Sequence, residues 1–284
     1  MNTICNVFKS LKLSQGVFSR HDEMLHACRC QLDPFIYGAL KNLYGANLKN
    51  HWETSSIPLI SNKAISIVER RCHPNLEFCL HNAAYFARGY AIHIFCSSAN
   101  IDFVRGICGN QLPNIHIHEV FEHIGTPEQG KHEYNELLKS AFFWDFITEE
   151  HVITIETDSY FLDFIPESIY NYDYVACRWP WAPEELGGGG LSYRKTVFMK
   201  RMIESNIVDL TKVKLQDGFA AEGMKLLNAK VPSIEESYEY FVEAHASRIA
   251  CGVHQWWTFM WKLKDEDLQL ITREYLTLNI SPSV

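Results

Sequence analysis

The chain has 284 residues and a mass of 32.8 kDa, enough for one large α/β domain or two small domains with a sizeable buried core. Hydrophobic residues make up 47% and charged residues 21%, a globular composition that excludes collagen, a coiled coil and a disordered chain. The formal charge is −8 and no dense run of Lys or Arg occurs, which argues against a protein that coats nucleic acid. We therefore expect no nucleic-acid partner, and an anionic ligand would need a cation in order to bind.

The sequence also bears on membrane and redox environment. Its longest apolar run, residues 83–87, is far shorter than the roughly 18 residues needed to cross a bilayer. The first residues are broken by Lys and Ser and lack the apolar centre of a signal peptide. Nine cysteines, an odd number, fit a reducing compartment, and the close pair Cys28 and Cys30 is too tightly spaced for a zinc knuckle. We expect a cytoplasmic protein with no membrane span.

The first half of the chain predicts alternating helices and strands. Residues 1–60 show helix-like stretches and no strand alternation, which predicts a helical N-terminal extension. From residue 64, short β-rich runs alternate with amphipathic helices, as in βαβ units on a mainly parallel sheet. The predicted elements are strands at 64–68, 91–95, 114–118 and 151–156, and helices at 76–88, 101–108 and 133–147.

The second half is less regular. A strand at 173–177 is followed by a segment rich in Trp and Pro, by four consecutive glycines, and by predicted helices at 196–204 and 219–228.

A pair of carboxylates follows the predicted strand at 151–156. Glu156 and Asp158 stand where a buried strand enters a loop, and ligands bind at this carboxyl end in open α/β sheets. Residues i and i+2 of an extended segment project to the same side, so both carboxylates could reach one hard divalent ion. That ion could bridge to a diphosphate, whereas the alternative is a solvated strand end.

Three further patterns each leave two interpretations open. The run at 187–190, preceded by Trp179 and Trp181, could bring backbone N–H groups and flat apolar rings to a sugar, or could be a flexible turn. Asp217 could cap a helix or act as a general base. His254, beside two tryptophans, could complete a metal shell or lie satisfied in the core.

Two segments imitate known motifs and are rejected. The segment 125–131 resembles a Walker A loop, but His132 replaces the required Ser or Thr, and Pro127 and Glu128 disturb the loop. The segment 118–123 resembles a zincin helix, but its histidines are five residues apart rather than four.

Together these motifs form an ordered set that resembles a known family. Residues 62–258, about two thirds of the chain, look like a glycosyltransferase family long catalogued as a domain of unknown function and having a GT-A-like fold. The resemblance is carried by VERRCHPNLEFCLHNAAYF, IHIFCS, EYNELLKSAFFWDF, VITIETDSYFL, YDYVACRW, GGGGLSYRK, QDGF and GVHQWW. It implies a mixed, mainly parallel, Rossmann-like sheet flanked by helices.

The resemblance also implies roles for individual residues. Glycosyltransferases of this fold hold a nucleotide sugar through a DxD-type motif and a divalent metal, which would assign Glu156 and Asp158 as metal ligands and His254 as the third. Asp217 would be the base if the reaction inverts the anomeric centre, and Gln216 stands where the family often has Glu. Nucleotide contacts would come from Glu69, Arg71, Ser97, Asn135 and Lys139. The donor sugar and acceptor would be bordered by Gly188, Gly189, Gly190, Trp179 and Trp181.

The sequence therefore predicts a helical extension over 1–60 and a GT-A-like domain over 61–284, with a nucleotide-binding half at 61–160 and an acceptor half at 161–284. The predicted activity is transfer of a sugar from a UDP- or GDP-linked donor to a glycan or other hydroxyl acceptor, with Mn²⁺ or Mg²⁺. The alternatives are a sugar nucleotidyltransferase and a non-catalytic relic that binds a glycan or a protein. Donor, acceptor, stereochemistry and oligomeric state stay open.

Overall fold

The computed structural model describes residues 2–13, 21–179, 182–243, 247, 249–258 and 264–280. Within these ranges the chain forms a mixed α/β fold whose central sheet is mostly parallel, which confirms the fold class expected from the alternating pattern. No helix in the described ranges combines the length and apolar character that crossing a bilayer would need. All nine cysteines are free thiols.

Strands and helices are interspersed along the chain. The strands are β1 (Lys63–Val68), β2 (Ala91–Ser97), β3 (Ile115–Phe121), β4 (His151–Ile155), β5 (Ser159–Phe161), β6 (Tyr174–Trp179), β7 (Ala182–Lys195), β8 (Phe241–Val242) and β9 (Gly252–His254). The α-helices are α1 (Asn2–Leu13), α2 (His21–Thr54), α3 (Leu76–Phe86), α4 (Ile101–Cys108), α5 (Pro127–Leu138), α6 (Ala141–Asp145), α7 (Thr196–Glu204), α8 (Gln216–Leu226), α9 (Ile234–Tyr240) and α10 (Asp265–Tyr275). Short 3-10 turns lie at Gly109–Asn114, Glu167–Asn171 and Trp256–Thr258.

The strands form two sheets. The central sheet has the order β3-β2-β1-β4-β7-β6, in which β1 to β4 run parallel and β7 runs antiparallel to both of its neighbours. The second sheet is small, with the order β5-β9-β8. Because β1, β2 and β4 are parallel, their carboxyl ends meet at one edge, and the chain enters the small sheet directly from the end of β4.

Each face of the central sheet packs on its own helical layer. Ile153 and Ile155 of β4 point into the cluster that contains buried residues of α1, α2, α3 and α10, whereas Val152 points into the cluster formed with α6, α7 and α8. This alternation follows from the two-residue period of a strand. The sheet is therefore buried on both faces, as its continuous apolar runs predict.

The N-terminal segment is helical and packs on the rest of the protein. Most of the helix-like pattern expected within residues 1–60 is one long helix, α2, which continues through Pro34. Buried Leu32 and Ile36 on either side of the proline hold the helix against the core, where Tyr37 donates a 3.4 Å hydrogen bond to the carbonyl of Ser159. The division of the chain into an extension and two halves stays a prediction, although strands from both proposed halves share the central sheet.

One local expectation is wrong, and one of two open interpretations is excluded. The helix expected over 133–147 is two helices, because Ser140 accepts a hydrogen bond from the backbone of Phe143 and caps α6, leaving Phe142 exposed. The glycines at 187–190 lie within β7 rather than in a flexible turn. The rejected zincin-like segment begins on β3, so it is not a helix.

One buried amide joins the two sheets through α3. Asn82 is fully buried, donates to the carbonyl of Phe161 at 3.0 Å and accepts from the N–H of Phe161 at 2.7 Å. It thereby satisfies both backbone groups of a residue in β5, the strand that starts immediately after Asp158. A buried backbone group without a partner costs about 1–3 kcal/mol.

We expect Asn82→Ala to lower the free energy of unfolding by about 3 kcal/mol, because it leaves two buried backbone groups without partners. Urea denaturation measures this change. Asn110→Ala is the control, since Asn110 is exposed and donates one hydrogen bond, and it should cost less than about 1 kcal/mol. Equal losses in the two variants would contradict the bridging role of Asn82.

Candidate functional site

A tight turn between β4 and β5 places the two predicted acids. The hydroxyl of Ser159 donates to the carbonyl of Glu156 at 2.8 Å and accepts from the N–H of Glu156 at 2.9 Å, which closes the turn. Ser159 also pairs with His254 in the antiparallel register of β5 and β9. The N–H of Gln255 then donates to the carbonyl of Asp158 at 2.8 Å. Strand pairing thus brings His254 beside the turn that holds both carboxylates.

The side chains of these three residues converge. His254 Nε2 lies 3.3 Å from Asp158 Oδ1 and 3.8 Å from Glu156 Oε2, and one ligand atom of each residue lies within 4.8 Å of the others. His254 is only 4% exposed, yet neither of its ring nitrogens makes a hydrogen bond. Both ring nitrogens instead face carboxylates at ion-pair distance, and a role as metal ligand stays a prediction.

The remaining carboxylate oxygens are held by other side chains. The Tyr134 hydroxyl donates to Glu156 Oε1 at 2.6 Å, and the Arg29 guanidinium donates to Asp158 Oδ2. Each carboxylate is thus fixed through one oxygen and presents the other toward His254. Ligands held in this way need little rearrangement in order to bind an ion.

A third carboxylate approaches His254 from the opposite side of the ring. Glu243, 6% exposed, places Oε1 at 3.5 Å from His254 Nδ1 and accepts a 3.0 Å hydrogen bond from Gln255 Nε2. A carboxylate beside one imidazole nitrogen orients the ring and makes the other nitrogen a better metal ligand. Glu243 therefore lies where it can aim Nε2 at the two acids.

The electrostatics of the cluster depend on opposite charges held together. Burial favours the neutral form of every member, yet Arg29 and His254 hold the pKa of Asp158 below its ordinary value. Burial likewise opposes protonation of His254, but Asp158 and Glu243 raise the pKa of its ring well above the usual range. A positive charge at His254 Nε2 therefore stabilises the two carboxylates. Either a proton on Nε2 or a divalent ion bound there can supply that charge.

The donor set fits a divalent ion. Asp158 Oδ1 and both nitrogens of His254 are buried and make no hydrogen bond, and a carboxylate oxygen of Glu156 lies within 4.8 Å of the ligand atoms of Asp158 and His254. Carboxylate oxygens suit Mg²⁺ and Mn²⁺ alike, and the imidazole nitrogen favours a transition metal such as Mn²⁺.

The four glycines of β7 make room for the side chains of this site. A Cβ on Gly190 would lie 2.1 Å from His254 Nε2, and one on Gly189 would lie 1.9 Å from Gln216 Nε2. A Cβ on Gly188 would lie 2.6 Å from Cys177 Cβ, and one on Gly187 would lie 2.0 Å from the ring of Trp179. Every position is therefore closed to a larger residue, a constraint different from the display of N–H groups that the sequence suggested.

A cleft of about 1280 Å³ opens over this cluster. Most residues predicted for the site line it: Glu69, Arg71, Asn135, Glu156, Trp179, Gly188, Gly189, Gly190, Asp217 and His254. Asp158 lies behind them, fully inside the cluster with His254. Trp181 falls outside the described residues. The start of α5, which carries the rejected Walker-like segment, contributes Thr126 and Lys131 to the wall.

Two predicted contacts do not reach the cleft. Ser97 is fully buried and donates to the backbone carbonyl of Arg70, so it fixes the chain that follows β1. Lys139 is buried, donates to the carbonyl of Lys214 at 3.0 Å and pairs with Glu136 at 2.7 Å. Neither side chain lies on the cleft wall, so each could act only by supporting residues that do.

Asp217 lies in the first turn of α8 and faces the cleft. Leu215 is the N-cap residue, so Asp217 does not occupy the capping position that was one of its two interpretations. Its carboxylate accepts a 2.7 Å hydrogen bond from the N–H of Gly218. Burial, assisted by the charges of Glu156 and Glu243, raises the pKa of Asp217, which suits a group that must take up a proton.

Three residues of the cluster are not predicted by the sequence. Tyr134 belongs to an apparently apolar helix face, but its hydroxyl reaches Glu156. Arg29 stands between two cysteines in the N-terminal segment, and Glu243 follows the two-residue strand β8. No spacing links these residues to the acids at 156 and 158, so only the tertiary fold reveals them.

The fold and site define an α/β protein with a carboxylate and imidazole cluster at the carboxyl end of a mostly parallel sheet. A family model described as "Protein of unknown function (DUF5672)" matches residues 119–257, which include Glu156, Asp158, Asp217 and His254 but not Arg29. No curated protein matches the chain in sequence. A solved structure described as a "putative nucleotide-diphospho-sugar transferase" from Desulfovibrio desulfuricans G20 is similar, at 14% identity and a TM-score of 0.34, over 61% of this chain and 79% of that one.

We expect Gly190→Ala to displace His254, because the new methyl group would lie 2.1 Å from Nε2. Overpacking of this kind costs roughly 1–3 kcal/mol of stability. Urea denaturation measures the loss. Gly106→Ala in α4, where nothing lies within 4 Å of the new methyl group, is the control and should not lower the stability. A Gly190→Ala protein as stable as the native protein would contradict the close packing described.

Proposed function

We propose that the protein is a metal-dependent glycosyltransferase of GT-A-like fold that moves a sugar from a nucleoside diphosphate sugar to a hydroxyl acceptor. The observation that carries this proposal is the convergence of Glu156, Asp158 and His254 at the floor of a large cleft. The mixed, mostly parallel sheet is compatible with the fold that the sequence motifs imply. We further propose Mn²⁺ as the ion, because one of the three ligands is an imidazole.

When bound, the metal would neutralise the charge that develops on the departing diphosphate. Around its ligands the chain supplies further positive charge. Arg29, Arg71 and Lys131 all line the cleft, and Arg29 contacts the carboxylate of Asp158 directly. Guanidinium and ammonium groups that face a cleft can stabilise a phosphate leaving group through charge-assisted hydrogen bonds. An acidic chain can thus hold an anionic donor.

The acceptor side of the proposal centres on Asp217. In an inverting transfer, Asp217 takes the proton of the acceptor hydroxyl as the acceptor oxygen bonds to the anomeric carbon and the bond to the diphosphate breaks. General-base assistance of this kind contributes about 10²–10⁴-fold. We assign the walls formed by Glu69, Arg71 and Asn135 to the nucleotide, and those formed by Trp179 and by Gly188 to Gly190 to the donor sugar and acceptor.

We expect Asp158→Asn to abolish metal-coupled nucleotide binding while the protein stays folded. In the native protein, Mn²⁺ should tighten the binding of UDP or GDP by about 10-fold or more. The variant should show no such coupling, because a neutral amide is a poor ligand for a hard cation. Calorimetric titration with each nucleotide, with and without MnCl₂, measures this.

Asp145→Asn is the matched control, since Asp145 is exposed and pairs with Lys200 far from the cluster. It should bind as the native protein does. If the native protein shows no metal-coupled affinity for either nucleotide, the transferase proposal fails and the chain is better explained as a binding relic of the fold.

We expect Asp217→Asn to slow nucleotide release from UDP- or GDP-sugars by about 10²–10⁴-fold, with Mn²⁺-coupled nucleotide affinity within about threefold of native. Because burial raises the pKa of Asp217, the native rate should fall as the pH drops through that raised value and the carboxylate becomes protonated. Coupled assays of nucleotide release across pH measure both effects.

The control is Glu222→Gln, an exposed acid on the same helix that also lines the cleft. Its rate should stay close to native. Equal losses in the two variants would show that cleft charge, rather than a base at position 217, sets the rate.

A further inference from the structure

A second group of histidine and carboxylate side chains lies at the amino ends of the central strands. His93 is the third residue of β2, His116 is the second residue of β3, and Glu149 stands two residues before β4 begins. The cleft lies at the carboxyl ends of the same strands, where Glu69 and Glu156 follow β1 and β4. This second group is therefore at the opposite edge of the sheet and belongs to no part of the proposed transfer site.

The register of the parallel strands brings these side chains together. His93 pairs with His116 across β2 and β3, and their rings stack with centroids 4.4 Å apart. Both carboxylate oxygens of Glu149 lie 3.2 Å from His93 Nε2. One ligand atom from each of the three residues lies within 4.8 Å of the others.

Neighbouring backbone and side-chain contacts fix which atoms face the group. His116 Nε2 lies 2.8 Å from the carbonyl of Leu59, an acceptor only, so Nε2 carries the proton and Nδ1 keeps a lone pair. His93 Nδ1 lies 3.0 Å from His118 Nε2, which leaves His93 Nε2 toward Glu149. A hydrogen bond on the outer nitrogen of a histidine is the usual arrangement behind a metal ligand.

Glu149 adds an independent observation. Its side chain is only 3% exposed, and its Oε2 accepts no hydrogen bond. The backbone of this residue is anchored, because the Thr196 hydroxyl donates to the Glu149 carbonyl at 2.6 Å. A carboxylate is held in the interior only when it is paired or coordinates a metal, and here His93 is the paired group while Oε2 keeps a lone pair that no hydrogen bond uses.

We propose that His93, His116 and Glu149 form a second metal site, selective for a zinc-like transition ion. Two imidazoles and one carboxylate are typical zinc ligands, and ligand atoms around tetrahedral zinc lie about 3.3 Å apart. The rings of His93 and His116 are stacked at an angle of 14°, so one ring must turn out of the stack to direct its nitrogen at the ion. Water would supply the fourth ligand, with access past the half-buried His116. The ion would tie β2, β3 and the segment before β4 together and would stabilise the fold rather than take part in transfer.

The competing explanation is a buried ion pair between protonated His93 and Glu149. An ion pair needs neither His116 nor a metal, whereas the metal site needs all three residues. Binding measurements therefore separate the two explanations.

The test uses the full chain carrying Asp158→Asn, which removes the first candidate site, and Cys30→Ser, because exposed Cys30 lies 3.5 Å from His26 Nε2 and could bind zinc. Calorimetric titration with ZnSO₄ should show one bound ion, and CoCl₂ should give the visible absorption of tetrahedral cobalt. Adding Glu149→Gln or His116→Asn should weaken zinc binding by about 100-fold or more. Exposed His123→Asn is the control and should leave binding unchanged.

His116→Asn keeps the test decisive if Glu149→Gln fails to fold, since His116 is only partly buried. Zinc should also raise the melting temperature of the background protein and not that of the His116→Asn protein. Failure of the background to bind zinc, or equal binding after His116→Asn, would overturn the proposal and leave a buried ion pair. Neither result depends on the transferase proposal.

Discussion

The pairing of β5 with β9 is the constraint on which the candidate site depends. It places Ser159 opposite His254, so the turn that carries Glu156 and Asp158 is held against a buried imidazole. Without that pairing the two acids would be a solvated strand end. With it, Asp158 and His254 each shift the pKa of the other toward the charged form, against the effect of burial. The small sheet thus holds the two acids against an imidazole whose protonated form they stabilise.

A second constraint comes from β7, which runs beside β4 and lies under the cleft. The absence of side chains at Gly189 and Gly190 lets Gln216 and His254 occupy the space next to the strand. Fully buried Arg194, on the same strand, donates to Gln216 Oε1 at 2.5 Å and so links the strand to the start of α8. The strand, the base candidate Asp217 and the acid cluster are therefore positioned by one packed unit rather than by a mobile loop.

Sequence reasoning predicts features that depend on local pattern. The β-branched run before Glu156 predicts a buried strand, and β4 is that strand. Ligands bind at the carboxyl ends of parallel strands, so the position of Glu156 and Asp158 after this strand predicts them as site residues. The sequence leaves His254 as either a metal ligand or a core histidine, because the surroundings of its two ring nitrogens are set only by the tertiary fold. Arg29 and Glu243 come from segments far apart in the chain, and no periodicity connects them to the cluster.

Buried polar residues on one face of the central sheet show why such residues are hard to predict from sequence. Register places His93, Ser66, Thr154 and Ser192 in one row across β2, β1, β4 and β7, on the face that also carries Val152 and buried Arg194. Thr154 and Ser192 satisfy each other at 2.7 Å, and His93 finds Glu149. Buried polar groups are stable only when partnered, so each member restricts its neighbours. The row begins at His93, a member of the second histidine group, and ends at Ser192 of β7, the strand under the cleft, so polar contacts on one buried face connect the two regions.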